Sequence, residues 1–371
     1  MARQATARIP GEETDNSPHC RERKHAPALA KASGAKDRTE DRMTSHFLKV
    51  NRFTLAVGVA LAFCAIGVAK AEDGEYGVLM KTLANPFWGA MSQGVEEGAK
   101  GAGVKIFEQA AESDQAAEPQ LNLCNTMLER KPVAMITAAI NSTNLLPCLK
   151  SAQDAGIKIV DLDNNLDQAV LDKEGVKVTF HIGSDNIAAG AQGAEYLVSK
   201  LGKDAKGPVL VIEGLSGNIT GEKRAKGFAD KLKELAPGLE IVASLPGDWD
   251  RGKAASIATD TLTAHPDLVA IFCANDGMAL GAVESVYAAG KGPQVTIIGV
   301  DGNSDAVKSI KEGRLNASVA QLPYLVGKQA VENVKKALAG EKVEDSIAVP
   351  TLVLTKDVID AGKEPMLQYV K

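Results

Sequence analysis

Aromatic side chains are scarce, at 4% of the 371 residues, and only two of them are Trp. Histidine is scarcer beyond residue 71, where only His181 and His265 occur, too far apart to form a local metal motif. Cysteine is limited to Cys124, Cys148 and Cys273 in the same stretch, too few for a disulfide framework. There is no G-x-x-x-x-G-K-[ST] phosphate loop, no G-x-G-x-x-G after the first strand and no G-x-S-x-G elbow. No nucleophile–base pairing shows in the spacing, so no catalytic residue, metal or cofactor is expected and the chain does not read as an enzyme. No apolar run reaches the length of an ordinary membrane span; the longest is Phe53 to Val68, 16 residues without a charge.

What is present is ordinary globular composition, 45% hydrophobic and 24% charged, with 35 Gly. The net charge of −5 is uneven. Residues 1–71 carry 12 Lys/Arg and 7 Asp/Glu, leaving 30 and 40 beyond them, a net −10. An acidic body has no electrostatic footprint for nucleic acid.

The 16-residue run follows Lys49 and Arg52 and ends in Ala69-Lys70-Ala71, with small residues at the −3 and −1 positions. That pattern is a secretory signal peptide cleaved after Ala71; the competing reading is an uncleaved anchor. The polar segment 1–42 before it points to Met43 as the true start, or to a disordered leader. Residues 1–71 are therefore set apart from the fold.

From Glu75 the chain alternates short Val/Ile-rich runs with helical stretches. Strands are expected at 75–81, 104–108, 133–139, 157–162, 178–183, 207–213, 240–245, 268–274 and 295–300. Runs without strict alternation suit strands buried on both faces, and the β-α rhythm predicts parallel sheets with right-handed crossovers. Nine strands exceed one compact unit, so two α/β domains are expected, with the rhythm shifting near Gly183-Ser184-Asp185-Asn186. In a sheet of order 2-1-3-4-5 the helices bearing Cys124 and Cys148 lie side by side. An exported compartment allows a disulfide there; two buried thiols is the other reading. Cys273 reads as core.

Ligands in open α/β folds bind beyond the carboxyl ends of the strands. The first strand ends before Asn85-Pro86-Phe87-Trp88, where Asn85 caps a helix, Pro86 begins it and the two rings fall on its first turn. Asp163, Asn275 and Asp301 recur at equivalent points of three other βα units. Asp276 reads as a helix cap and Asp161 as facing a domain surface. Trp249 stands between a strand and a helix. Aromatic faces among carboxylates and amides match a sugar, whose C–H faces stack on rings and whose hydroxyls donate to carboxylates.

These residues also carry a likeness. Residues 72–371 resemble the ribose-type periplasmic sugar-binding proteins of ABC importers. The resemblance rests on Lys81-Thr82-Leu83-Ala84-Asn85-Pro86-Phe87-Trp88, Gly183-Ser184-Asp185-Asn186 and Gly247-Asp248-Trp249-Asp250-Arg251. It extends through Cys273-Ala274-Asn275-Asp276-Gly277-Met278-Ala279-Leu280-Gly281, Gly299-Val300-Asp301-Gly302 and Val319-Ala320-Gln321. It implies an α/β fold of periplasmic binding protein type I, two Rossmann-like lobes around a ligand cleft. The lobes would be 72–184 plus about 322–350, and 185–321 plus about 351–371, joined by three crossings. It implies that Phe87, Trp88 and Trp249 stack on the sugar while Asp163, Arg224, Asn275, Asp301 and Gln321 bond its hydroxyls, with Asn85 beside them. Lys81 favours an allose-type pocket over a ribose-type one, where a small residue is usual. Asn164 departs from the family, which places Arg after the first carboxylate; that leaves room for another hexose, a ketose or a sugar alcohol. The implied partners are a monosaccharide and a permease in the inner membrane, for a monomeric periplasmic receptor. A chemoreceptor-feeding sensor and a sugar-modifying enzyme are the competing classes. A repressor sharing this body would need an N-terminal helix-turn-helix in place of the signal sequence.

Overall fold

The computed structural model describes residues 74–370; the leader, the signal sequence and its cleavage site lie outside the described residues. The described residues form one compact unit. Its first half runs β1 (Glu75–Thr82), α1 (Pro86–Ala102), β2 (Lys105–Ala111), α2 (Ala117–Leu128), β3 (Ala134–Thr137), α3 (Leu146–Asp154), β4 (Lys158–Leu162), α4 (Gln168–Glu174) and β5 (Phe180–Ser184). Its second half runs α5 (Asn186–Leu201), β6 (Gly207–Glu213), α6 (Ile219–Leu235), β7 (Leu239–Pro246), α7 (Arg251–Ala264), β8 (Ala270–Cys273), α8 (Asp276–Ala288), β9 (Thr296–Asp301), α9 (Ser304–Lys311) and β10 (Ala317–Ala320). Then follow α10 (Pro323–Leu338), β11 (Ser346–Val349), β12 (Leu352–Thr355), α11 (Lys356–Ala361) and a closing 3-10 turn, Pro365–Tyr369.

The strands form two six-stranded sheets, β2-β1-β3-β4-β5-β11 and β7-β6-β8-β9-β10-β12. The pairings are parallel except β10 with β12, where Ala317 faces Thr355. Central strands such as β3 and β8 are buried along their whole length. That is why they read as continuous apolar runs rather than alternating ones. Each sheet carries apolar clusters on both faces.

All nine strands expected from the pattern are present. Three more, β10, β11 and β12, lay beyond it: each has four residues, β10 reads Ala-Ser-Val-Ala, and the other two are partly exposed edges. The chain passes between the sheets three times, after β5, after β10 and between β11 and β12. The closing turn packs back on α10, with Tyr324 and Tyr369 stacked at 6.3 Å.

The first sheet contains the order 2-1-3-4-5, which brings α2 and α3 together. Cys124 and Cys148, both fully buried there, form a disulfide. Cys273 is a buried free thiol at the end of β8.

Helix pairs pack very closely in the second half. A Cβ on Gly190 of α5 would lie 2.0 Å from the Arg224 carbonyl oxygen, and one on Gly227 of α6 2.1 Å from that of Ile187. Only glycine allows this approach, and it fixes the helix that carries Arg224.

Candidate functional site

The carboxyl ends of the strands in both sheets point into one cleft. It leaves about 310 Å³ free of protein atoms, solvent space at its mouth included. Its walls are Lys81, Asn85, Phe87, Trp88, Asp163, Arg224, Trp249, Asn275, Asp301 and Gln321, with Asp114 and Thr220 added. The ten residues singled out in the sequence therefore converge on one cavity.

The aromatic walls come first. Asn85 is in extended backbone and its side chain accepts the Phe87 N–H, with Pro86 opening α1. That cap directs Phe87 and Trp88 inward, where they meet edge to face at 4.9 Å. Both are nearly buried and belong to the core as well as to the cavity. Trp88 donates from Nε1 to Asp114 at 3.0 Å. Across the cleft, Trp249 follows Asp248, and both have left-handed backbone, φ 61° and 52°. The Trp249 ring lies against Gly214, where a Cβ would come within 2.2 Å of it.

The polar groups divide between the lobes. Asp163 is 3% exposed and sits at φ 69° after β4. Its loop is held by Asp161, which accepts from the Asn165 and Leu166 N–H groups at 3.1 and 3.2 Å and lies 2.8 Å from His181 Nδ1. Asp161 is thus fully buried, a loop anchor and not a surface group as expected. Asn165 accepts from Lys81 Nζ at 2.7 Å and donates to Asp163 at 3.3 Å, fixing both. Lys81 Nζ also lies 5.2 Å from the Trp88 ring centre.

In the second lobe, Arg224 is 3% exposed. It donates from Nε to Asn186 at 2.8 Å and from Nη1 to the Ala274 carbonyl at 2.9 Å and to Asp301 at 3.4 Å. Gln321 donates to the same Asp301 oxygen at 2.7 Å, while its own Oε1 is buried with no protein partner. Asn275 caps α8 through the Met278 N–H. Asp276 is therefore not that cap. Its carboxylate accepts from the Gly302 and Asn303 N–H groups, each at 2.8 Å, and from Ser318 Oγ at 2.7 Å, holding the loop that presents Asp301.

Burial dominates the electrostatics. It pushes Asp163 upward against the pull of Lys81 and Arg224, and Lys81 downward against the pull of Asp163 and Asp114. Burial also raises Asp301 well above the usual carboxylate range, and Asp276 to about 7. At the cavity wall, burial thus costs the charged forms of Lys81, Asp163 and Asp301 more than their protein partners return. Strain points the same way. Of seven non-Gly residues with positive φ among the described residues, Asp163, Trp249 and Asp301 line the cavity, and Asn164, Asp248 and Leu322 adjoin lining residues in the chain.

Asn164 stands where the resembling family has Arg, and it does not line the cavity. Its left-handed backbone, φ 53°, turns the side chain away from the cavity to donate to the Ser184 carbonyl at 3.1 Å, so it stands at a crossing and not against a ligand. Asp114 and Thr220 escaped the sequence reading. The signal for Asp114 was its place after the second strand. That strand runs to Ala111, three residues past its expected end, and the misplaced end hid the loop.

Residues 76–342 match the family model described as a periplasmic binding protein domain. The D-allose-binding periplasmic protein of Escherichia coli (strain K12) is 36% identical over 313 residues, 84% of this chain and 98% of that protein. The ribose import binding protein of Bacillus subtilis (strain 168) is 33% identical over 280 residues, 76% of this chain and 87% of that one. The crystal structure of an ABC transporter periplasmic solute binding protein from Actinobacillus succinogenes 130z, with bound D-allose, is 33% identical with a TM-score of 0.73. The match covers 78% of this chain and 99% of that one.

Proposed function

Because the chain belongs to the periplasmic binding protein family and is a sugar-binding component of an ABC importer, not an enzyme, we propose that its ligand is a D-allose-like aldohexose. The sugar lies between Phe87 and Trp88 on one side and Trp249 on the other. The lobes are 72–184 with about 322–350, and 185–321 with about 351–371. The observation that carries the reading is that Asp163 and the Arg224–Asp301 pair reach one cavity from opposite lobes. A ligand bonded to both lobes stabilises the closed form by contacts that the open form lacks. Buried Lys81 adds a donor at the wall, which suits a hexose hydroxyl better than a pentose. The mature receptor works as a periplasmic monomer after cleavage at Ala71, and delivers its sugar to an inner-membrane permease.

Thermal unfolding against a sugar panel tests this. The protein is first refolded from denaturant to strip carried-over sugar, then heated with D-allose, D-ribose, D-psicose, D-xylose, D-galactose and several alditols. A ligand at about 100 times its Kd adds roughly 2.7 kcal/mol, which raises Tm by several degrees. D-allose is expected to give the largest shift. A shift with alditols or D-psicose alone would replace the aldohexose reading, and no shift with any would overturn the site assignment.

A further inference from the structure

Two hydrogen bonds cross between the lobes beside the cavity. Gln115, in the loop before α2, donates from Nε2 to the Asp248 carbonyl at 2.6 Å. Asn218, before α6, donates from Nδ2 to the Ile140 carbonyl at 2.8 Å, fully buried. Neither residue lines the cavity. Gln115 follows Asp114, which holds Trp88; Asp248 precedes Trp249. This bond therefore ties together the residues next to the facing aromatic walls. Asn218 has a double role. Its Oδ1 caps α6 by accepting from the Thr220 and Gly221 N–H groups at 3.1 and 3.3 Å, bonds made within one lobe. Its Nδ2 reaches the other lobe from the start of the helix that carries Arg224.

We propose that Gln115 and Asn218 are closure ties, which form only when the lobes meet and which set how long a bound sugar stays rather than how fast it arrives. The sugar enters an open cleft in which neither bond exists. It leaves only after both have broken. Ties of this kind act on the dissociation rate and leave association unchanged. The inference rests on the sugar-binding reading above.

Both Trp residues of the chain line the cavity, so stopped-flow tryptophan fluorescence with D-allose reads both rates. Two variants separate the ties from the rest of the site. Gln115→Ala removes one bond. Asn218→Asp keeps an equally good cap acceptor but sets a carboxylate oxygen against the Ile140 carbonyl. Release is expected to quicken about fivefold in the first and about tenfold in the second. Association is expected to stay within about twofold and the sugar-free Tm within a degree or two of the parent. Unchanged release in both variants, or an equal fall in association, would overturn the proposal alone. A parent protein that responds to no sugar in the panel would overturn the sugar-binding reading, and the ties with it.

Discussion

The Trp88 indole N–H and the Asp114 carboxylate meet at 3.0 Å, and the other oxygen of Asp114 accepts from Asn85 Nδ2 at 3.4 Å. One carboxylate thus holds a wall of the cavity and the cap of the helix that carries it. Asp114→Ala leaves the buried indole N–H without a partner, and D-allose affinity is expected to fall roughly tenfold. Asp114→Asn retains an acceptor and is expected to stay within about threefold of the parent. Calorimetric titration of both variants checks this; equal losses would mean that charge, and not the position of the ring, is what Asp114 supplies.

Asp163 and Arg224 are expected to be indispensable for binding. Removing one partner of a buried, charged hydrogen bond costs about 2–5 kcal/mol, a factor of roughly thirty to several thousand in affinity. Asp163→Ala and Arg224→Ala should therefore show no measurable titration with D-allose while circular dichroism stays native. Asp163→Asn should also lose affinity, yet unfold at a higher temperature than the parent without sugar, because it removes a carboxylate whose ionised form burial disfavours. A lower sugar-free Tm in that variant would show that Lys81 and Arg224 already compensate the charge.

Asp276 gives the sugar-free fold a definite pH dependence. Its folded pKa is about 7, against an ordinary value of 3.8. Between those values the native state holds a proton that the unfolded chain has released, so stability falls as pH rises from about 4 to about 7 and levels off above. The burial that raises Asp161, Asp163 and Asp301 acts in the same direction. Asp276→Asn keeps the shape and an acceptor for the Gly302 and Asn303 N–H groups. It is expected to flatten part of the decline, on the order of a few kcal/mol between pH 5 and pH 8. Urea unfolding at a series of pH values measures the slope, and parallel curves for parent and variant would exclude Asp276 as its source.

The Cys124–Cys148 disulfide closes a loop with a sequence separation of 24 on the side of the first sheet where α2 and α3 pack. Loop-entropy arguments place its contribution at about 3 kcal/mol. The paired change Cys124→Ala with Cys148→Ala is expected to lower stability by about that amount, and to leave D-allose affinity within about twofold, since neither residue touches the cavity. Denaturant unfolding and titration of the double variant check both parts. A large loss of affinity would mean that the disulfide positions the Asp114 loop.

Much of the fold was legible because buried parallel strands write themselves as apolar runs. All nine such runs became strands. β10 escaped because Ala317 and Ala320 are too small to mark a core strand, and β11 and β12 because edge strands of four residues bury too little to leave a pattern. The site divides likewise. Asp163, Asn275 and Asp301 stand at or just past the ends of β4, β8 and β9, and strand ends can be read. Arg224 sits one turn inside α6, and only family likeness separated it from a surface arginine. The roles of Asp161 and Asp276 depend on which backbone N–H groups curl around them, Asn165 and Leu166 in one case and Gly302 and Asn303 in the other, and no spacing reveals that. Asn164 turns outward because of a left-handed backbone that its residue type permits but does not require.

The last short strands bear on the order in which the molecule is assembled. β11 completes the first sheet by pairing Ser346 with His181, and β12 completes the second by pairing Leu352 with Ala320. Neither lobe has its full sheet until the final stretch of chain is available, and the first sheet must wait until five strands of the second, β6 to β10, have been made. Contacts so distant in sequence make folding slow.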